Sequence, residues 1–122
     1  MYDSSPSAPA LLDPGTRPEP FAIVCAHDET SYVLAVHGEF DLAAVDRAHD
    51  AFVRALRSPA REIVVDLEFC AFIDSSGVSA LLALNRRVNR TVGRDLLILP
   101  GPPPVQRVFA VCDLLDVLPF PD

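Results

Sequence analysis

The stretch Glu62–Leu84, EIVVDLEFCAFIDSSGVSALLAL, decides how this chain folds, because its hydrophobic period changes partway along. Ile63, Val64 and Val65 form a β-branched run flanked by charges, the pattern of a strand covered on both faces. Val78, Leu81, Leu82 and Val88 recur at helical spacing, so strand gives way to helix between Leu67 and Val78. Asp74-Ser75-Ser76-Gly77 fills that interval with helix-starting residues and sets one or two hydroxyls at a helix N-terminus.

Downstream, the spacing predicts a helix that runs to Val92, with Gly93 as its C-terminal stop. Leu96–Leu99 reads as a buried strand, Pro100–Pro104 as a stiff loop, and Val105, Val108, Phe109 and Cys112 as one face of a short helix. Leu114–Phe120 would add a brief edge strand or helix end. Upstream, Ser58-Pro59 closes a helix whose buried face is Leu42, Val45, Phe52 and Leu56. Asp41 is placed to cap it, with Phe40 and Val45 spaced as a hydrophobic staple. Phe21–Ala26 and Tyr32–Gly38 are apolar runs separated by a polar loop, an antiparallel hairpin. Residues 1–20, rich in Pro, Ser and acidic side chains, read as a disordered tail ahead of a single domain over residues 21–120.

The predicted order is therefore β-β-α-β-α-β-α, an α/β fold with right-handed crossovers and parallel later strands. Three connections leave the carboxyl ends of strands: Glu39-Phe40-Asp41, Asp74–Gly77 and the proline loop. In open α/β sheets that rim is where sites are built, which puts Asp41 and Ser75 on one edge.

Composition narrows the functional classes. The 122 residues hold one core, and a formal charge of −7, from 17 acidic and 10 basic residues, opposes binding to a phosphate backbone. Every basic residue is Arg, and the cluster Arg86, Arg87, Arg90 and Arg94 reads as a solvated helix face opposite the negative end of its dipole. Cys25, Cys70 and Cys112 are widely spaced in apolar sequence and read as small buried hydrophobes. They show neither a disulfide framework nor metal-ligand spacing, so no metal or cofactor is expected. No basic leader with an apolar core opens the chain and no apolar run nears membrane-spanning length, so a cytoplasmic, reduced setting without membrane insertion is expected.

A serine between Asp74 and Gly77 admits three roles. It can be the helix N-cap, which local grounds favour. It can be a nucleophile, but the nucleophile elbow Gly-x-Ser-x-Gly is missing, and His27, His37 and His49 fall in a loop, a strand and a helix. It can be a phosphoacceptor whose added charge is the signal.

Gly38-Glu39-Phe40-Asp41 with its following helix, then IVVDLEFCAFIDSSGVSALLAL, then LLILPGPPPVQRVFAVCDLLDVL, resembles the STAS domain of bacterial anti-sigma-factor antagonists over roughly residues 21–120. The resemblance implies a STAS-like mixed sheet of four to five strands packed with amphipathic helices. It implies a non-enzymatic partner switch, in which Ser75 is phosphorylated by an anti-sigma factor serine kinase. The unphosphorylated form would bind that kinase and free a sigma factor, and a phosphatase acting on phospho-Ser75 would reset it. The partner surface so implied comprises Asp41, Asp74, Ser75, Ser76, Gly77 and Ser79. Ser79 stands where antagonists commonly carry a second Gly, and the proline loop is richer in Pro than its counterparts. Related STAS-like domains instead brace lipid-transport ATPases as accessory subunits with no phosphorylation cycle, and that alternative stays open here.

Overall fold

The computed structural model describes residues 20–121, so the tail expected over residues 1–20 lies outside the described residues except for Pro20. The chain runs through β1 (Ala22–His27), β2 (Ser31–Phe40), a 3-10 turn (Leu42–Ala44), α1 (Val45–Arg57), β3 (Glu62–Asp66), β4 (Cys70–Ile73), α2 (Ser75–Asn89), β5 (Asp95–Leu99) and α3 (Pro103–Val111). The expected order holds, with one refinement. The segment before α2 forms two successive short strands, β3 and β4, and both pair in parallel with β2.

The sheet has the order β1-β2-β3-β5, with β4 pairing to β2 beyond the end of β3. β1 and β2 are antiparallel, as the apolar runs around a polar loop require, and the remaining pairs are parallel. Asp28 closes the hairpin by accepting hydrogen bonds from the Thr30 N–H (2.8 Å), the Ser31 N–H (2.9 Å) and the Thr30 hydroxyl. These bonds, led by the Thr30 N–H, hold its carboxyl below the usual carboxylate range.

β2 alternates strictly, with Tyr32, Leu34, Val36, Gly38 and Phe40 buried and the residues between them half-buried. Its buried side meets Ile63 and Val65 of β3, Ile98 of β5, and Val78, Leu81, Leu84 and Val88 of α2 in one core. Ile63, Val64 and Val65 are all buried, as the unbroken apolar run indicated. In front of β1, Arg47 of α1 lies over the Phe21 ring at 5.2 Å and donates to the Phe21 carbonyl.

Several local expectations are corrected. The buried stripe of α1 is Ala48, Ala51, Phe52 and Ala55, whereas Leu42 is 73% exposed and Val45 and Leu56 are half-buried. Small residues let α1 lie close against the sheet, and the larger ones turn toward α2. The second helix stops at Asn89, because Arg90 and Thr91 close tight turns onto the Arg87 and Val88 carbonyls and fully exposed Val92 offers no burial to extend it. Gly93 follows with φ +80°, in the left-handed region expected of a stop. Pro103 and Pro104 belong to the first turn of α3, where a missing N–H costs nothing.

Arg94 is no part of a solvated face. It donates to the carbonyls of Leu56 and Ser58 at 2.6 Å each and closes the C-terminus of α1. The closing segment is turn rather than strand. It buries Leu118, stacks Phe120 edge-on against Phe109, and presents the Pro119 carbonyl to the Ile98 N–H.

Of the three cysteines only Cys70 is buried. Cys25 lies on the outer strand β1 and Cys112 caps the exposed end of α3, so apolar neighbours in sequence did not translate into cover. Burial raises the Cys70 thiol pKa above its ordinary value. Iodoacetamide applied to the native chain at neutral pH is therefore expected to modify Cys25 and Cys112 and to spare Cys70 until denaturant is added. Equal labelling of all three, read by peptide mass spectrometry, would contradict this burial.

Candidate functional site

The site forms where two parallel strands end together. Phe40 of β2 pairs with Ile73 of β4, so Asp41 and Asp74 leave the sheet side by side. The Asp74 N–H donates to the Phe40 carbonyl at 3.3 Å. Asp74 has extended backbone angles (φ −111°, ψ −173°), and its Oδ1 accepts from the Ser76 N–H (2.9 Å) and the Gly77 N–H (3.1 Å). The cap of α2 is thus Asp74 and not Ser75, a correction to the local reading. A carboxylate at this position serves two otherwise unpaired amides and also faces the positive end of the helix dipole.

Ser75 becomes the first helical residue. It is exposed, and its hydroxyl has no hydrogen-bond partner among the described residues. Ser76 is half-buried with its amide held by Asp74. Gly77 is buried, and a Cβ built on it would stand 2.5 Å from the Phe40 carbonyl oxygen and 2.7 Å from the Ile73 side chain. Glycine lets the first turn of α2 settle against the end of β2. The missing side chain would point inward, so the role the geometry gives Gly77 is to set the position of the residues around it.

Asp41 occupies the N-cap position of the 3-10 turn but makes no side-chain capping bond; its carbonyl accepts the Ala44 N–H at 3.0 Å. The residue is half-buried and follows Phe40, whose strand partner Ile73 precedes the α2 cap. The proline loop completes the same rim. There Gly101 packs so closely that a Cβ would lie 2.7 Å from the Leu67 carbonyl, and Gln106 Nε2 donates to the Gly101 carbonyl at 2.7 Å.

Next to Ser75 a groove of about 520 Å³ runs between α1 and α2. Leu42, Val45, Val53 and Leu56 form one wall, Ser79, Ala80 and Ala83 the other, with Arg87 at the far end. Sequence reading assigned the leucines and Val45 to the core and so missed their place beside the site. The signal was present as two apolar stripes on α1, one of alanines and one of larger residues. His49 also lines the groove, and no hydrogen bond joins it to a serine among the described residues. Among the described residues no group of three or more His, Cys, Asp or Glu side chains is placed to hold a metal ion, and no helix is long and apolar enough to cross a membrane.

The corner makes two stability predictions, both checked by urea unfolding. Gly77→Ala must push against backbone and is expected to cost roughly 1–3 kcal/mol, the range for overpacking. Asp74→Ala removes the cap and is expected to cost about 1 kcal/mol. A neutral Gly77→Ala would show that the α2 corner is not in tight contact with β2.

Solved structures with this architecture include SpoIIAA, described as an anti-sigma factor antagonist in its unphosphorylated form. It shares 25% identity over 83% of this chain and 89% of its own, with a TM-score of 0.69. The phosphorylated form of the Bacillus cell fate determinant SpoIIAA matches at 24% identity, covering 83% and 92%, with a TM-score of 0.63. An anti-sigma factor antagonist from Mycobacterium paratuberculosis matches at 18% identity, covering 83% and 85%, with a TM-score of 0.75; at such identity the likeness is one of fold. A family model described as "Mlab, STAS domain" matches residues 23–119, nearly the whole of the described fold, and the chain belongs to that STAS domain family.

Proposed function

We propose that this chain is an anti-sigma-factor antagonist that binds an anti-sigma factor kinase when unphosphorylated, thereby frees a sigma factor, and is switched off by phosphorylation of Ser75. The observation that carries this reading is the exposed hydroxyl of Ser75, which has no hydrogen-bond partner among the described residues and lies one residue past a cap that Asp74 already supplies. Ser76 is the poorer acceptor, being half-buried with its amide engaged. The likeness to SpoIIAA, solved in unphosphorylated and phosphorylated forms, supports a family setting in which such a switch operates. The chain acts by binding, without catalysis of its own, in the cytoplasm and without direct contact to nucleic acid. A phosphatase returns it to the binding state.

Magnitudes explain why the modification would act on binding and leave the fold intact. A phosphate at the α2 N-terminus meets oriented N–H groups and gains roughly 0.3–1 kcal/mol at an exposed position. No native hydrogen bond of Ser75 is lost, because its hydroxyl makes none among the described residues. A partner pressed over the same dianion, with Asp41 and Asp74 close by, would strip its water and oppose like charges, which costs several kcal/mol. At about 1.4 kcal/mol per factor of ten, affinity falls by orders of magnitude. Asp41, Ser76, Ser79 and the open groove beside them supply the rest of the partner surface, placed by Gly77.

Affinity purification with Ser75→Ala as bait is expected to retain a histidine-kinase-like ATPase, and Ser75→Asp to bind it at least about tenfold more weakly. With that kinase and ATP, mass spectrometry should place phosphate on Ser75. Phosphate on Ser76 alone, or none, would overturn the assignment. Recovery of a transport ATPase in place of the kinase would support the accessory-subunit reading instead.

A further inference from the structure

β1 is an outer strand of the sheet, and among the described residues nothing pairs with its outer edge. The opposite outer strand, β5, is treated differently, because the Ile98 N–H there is taken by the Pro119 carbonyl. Proteins usually blunt a free edge with charge, proline, a bulge or extreme shortness. The β1 sequence AIVCAH carries no acidic or basic residue beyond a terminal histidine and no proline, and its six residues pair with β2 without a register shift.

The ladder determines which backbone groups face outward. Asp28 N–H donates to the Ser31 carbonyl at 3.0 Å, so those two residues form a hydrogen-bonded pair. Alternation along the antiparallel register makes Ala26–Val33, Val24–Ala35 and Ala22–His37 hydrogen-bonded pairs as well. Ile23, Cys25 and His27 therefore turn their N–H and C=O groups away from β2.

We propose that two copies of this chain pair through β1, antiparallel about a two-fold axis at Cys25, joining their sheets into one. In that register Cys25 faces Cys25 of the second copy and Ile23 faces its His27, and each such pair exchanges both of its hydrogen bonds. Every outward donor and acceptor of the three residues finds its partner. On the opposite face Val24, 58% exposed in the single chain, falls against Ala26 of the second copy. A chain of net charge −7 would repel its own copy through most of its surface, and β1 is a strip where no acidic side chains are brought face to face. The contact is narrow, so the pair is a weak, reversible dimer. It leaves the Ser75 corner uncovered and does not depend on the role proposed for it.

Sedimentation equilibrium of the full chain under reducing conditions, at rising concentration, is expected to show a monomer–dimer equilibrium. Cys25→Pro deletes an N–H that the β1–β2 ladder does not use, a substitution outer strands accept, and should leave a folded monomer that no longer dimerises. If that variant fails to fold, the exposed position decides. Val24→Lys should raise the dimer dissociation constant at least about tenfold, and adding Ala26→Glu to the same chain should restore dimerisation by setting opposite charges across the two-fold. Opposed Cys25 residues would stand about 5.5 Å apart at Cα, so a short bismaleimide should cross-link the Cys112→Ser chain through Cys25. A chain that stays monomeric at every concentration overturns the proposal, as does a dimer indifferent to both Val24→Lys and Cys25→Pro.

Discussion

The backbone of α2 can reach the end of β2 only because position 77 has no Cβ, and the arrangement of the rim follows from that approach. With Gly77 against the Phe40 carbonyl, the Asp74 N–H reaches the same oxygen, and the loop that begins at Asp41 is drawn beside the start of α2. Any side chain there would have to lift the helix from the strand, since its neighbours are backbone and a branched core residue that cannot swing aside. The tilt that would result also bears on the α1–α2 groove, whose walls are two helices held to the same sheet.

The corner separates two duties that a single residue often combines. Asp74 satisfies the amides of the first turn, so stability at this point resides in a carboxylate. Ser75 is left with an exposed hydroxyl outside that network. A group can be added to it without breaking what holds the helix end, while the electrostatics of the rim change sharply with two carboxylates already nearby. The apolar groove begins at the same serine, which makes the rim a boundary between charge-sensitive and apolar surface.

Much of this was legible in the residues. The period change between Leu67 and Val78 located the strand-to-helix corner, and the hairpin followed from two apolar runs around a polar loop. What stayed hidden were choices between chemically similar options. Asp and Ser are both good caps, and only the extended backbone at Asp74 decides between them. Leu42 and Leu56 looked more core-like than Ala48 or Ala55, because periodicity cannot tell that α1 lies close to the sheet and needs small residues there. Exposure of Cys25 depended on β1 being an outer strand, a property of sheet order that no local pattern encodes. The short strand β4 escaped notice because its four residues, the middle two of them exposed, carry neither the alternation nor the unbroken cover that marks a strand in sequence.

Arg94 joins segments far apart in the chain, since the carbonyls it holds lie 38 and 36 residues earlier, at the end of α1. The C-terminus of that helix is therefore closed by a residue that arrives only once β5 has been laid beside β3. Contacts of such sequence separation carry a large loop-closure cost before they repay it, and they form late on the way to the native state. Interactions absent from the transition state act mainly on unfolding. The guanidinium is therefore expected to act as a latch on the finished α1–β3–α2–β5 unit, bearing on how long the fold persists once made more than on how quickly it is reached.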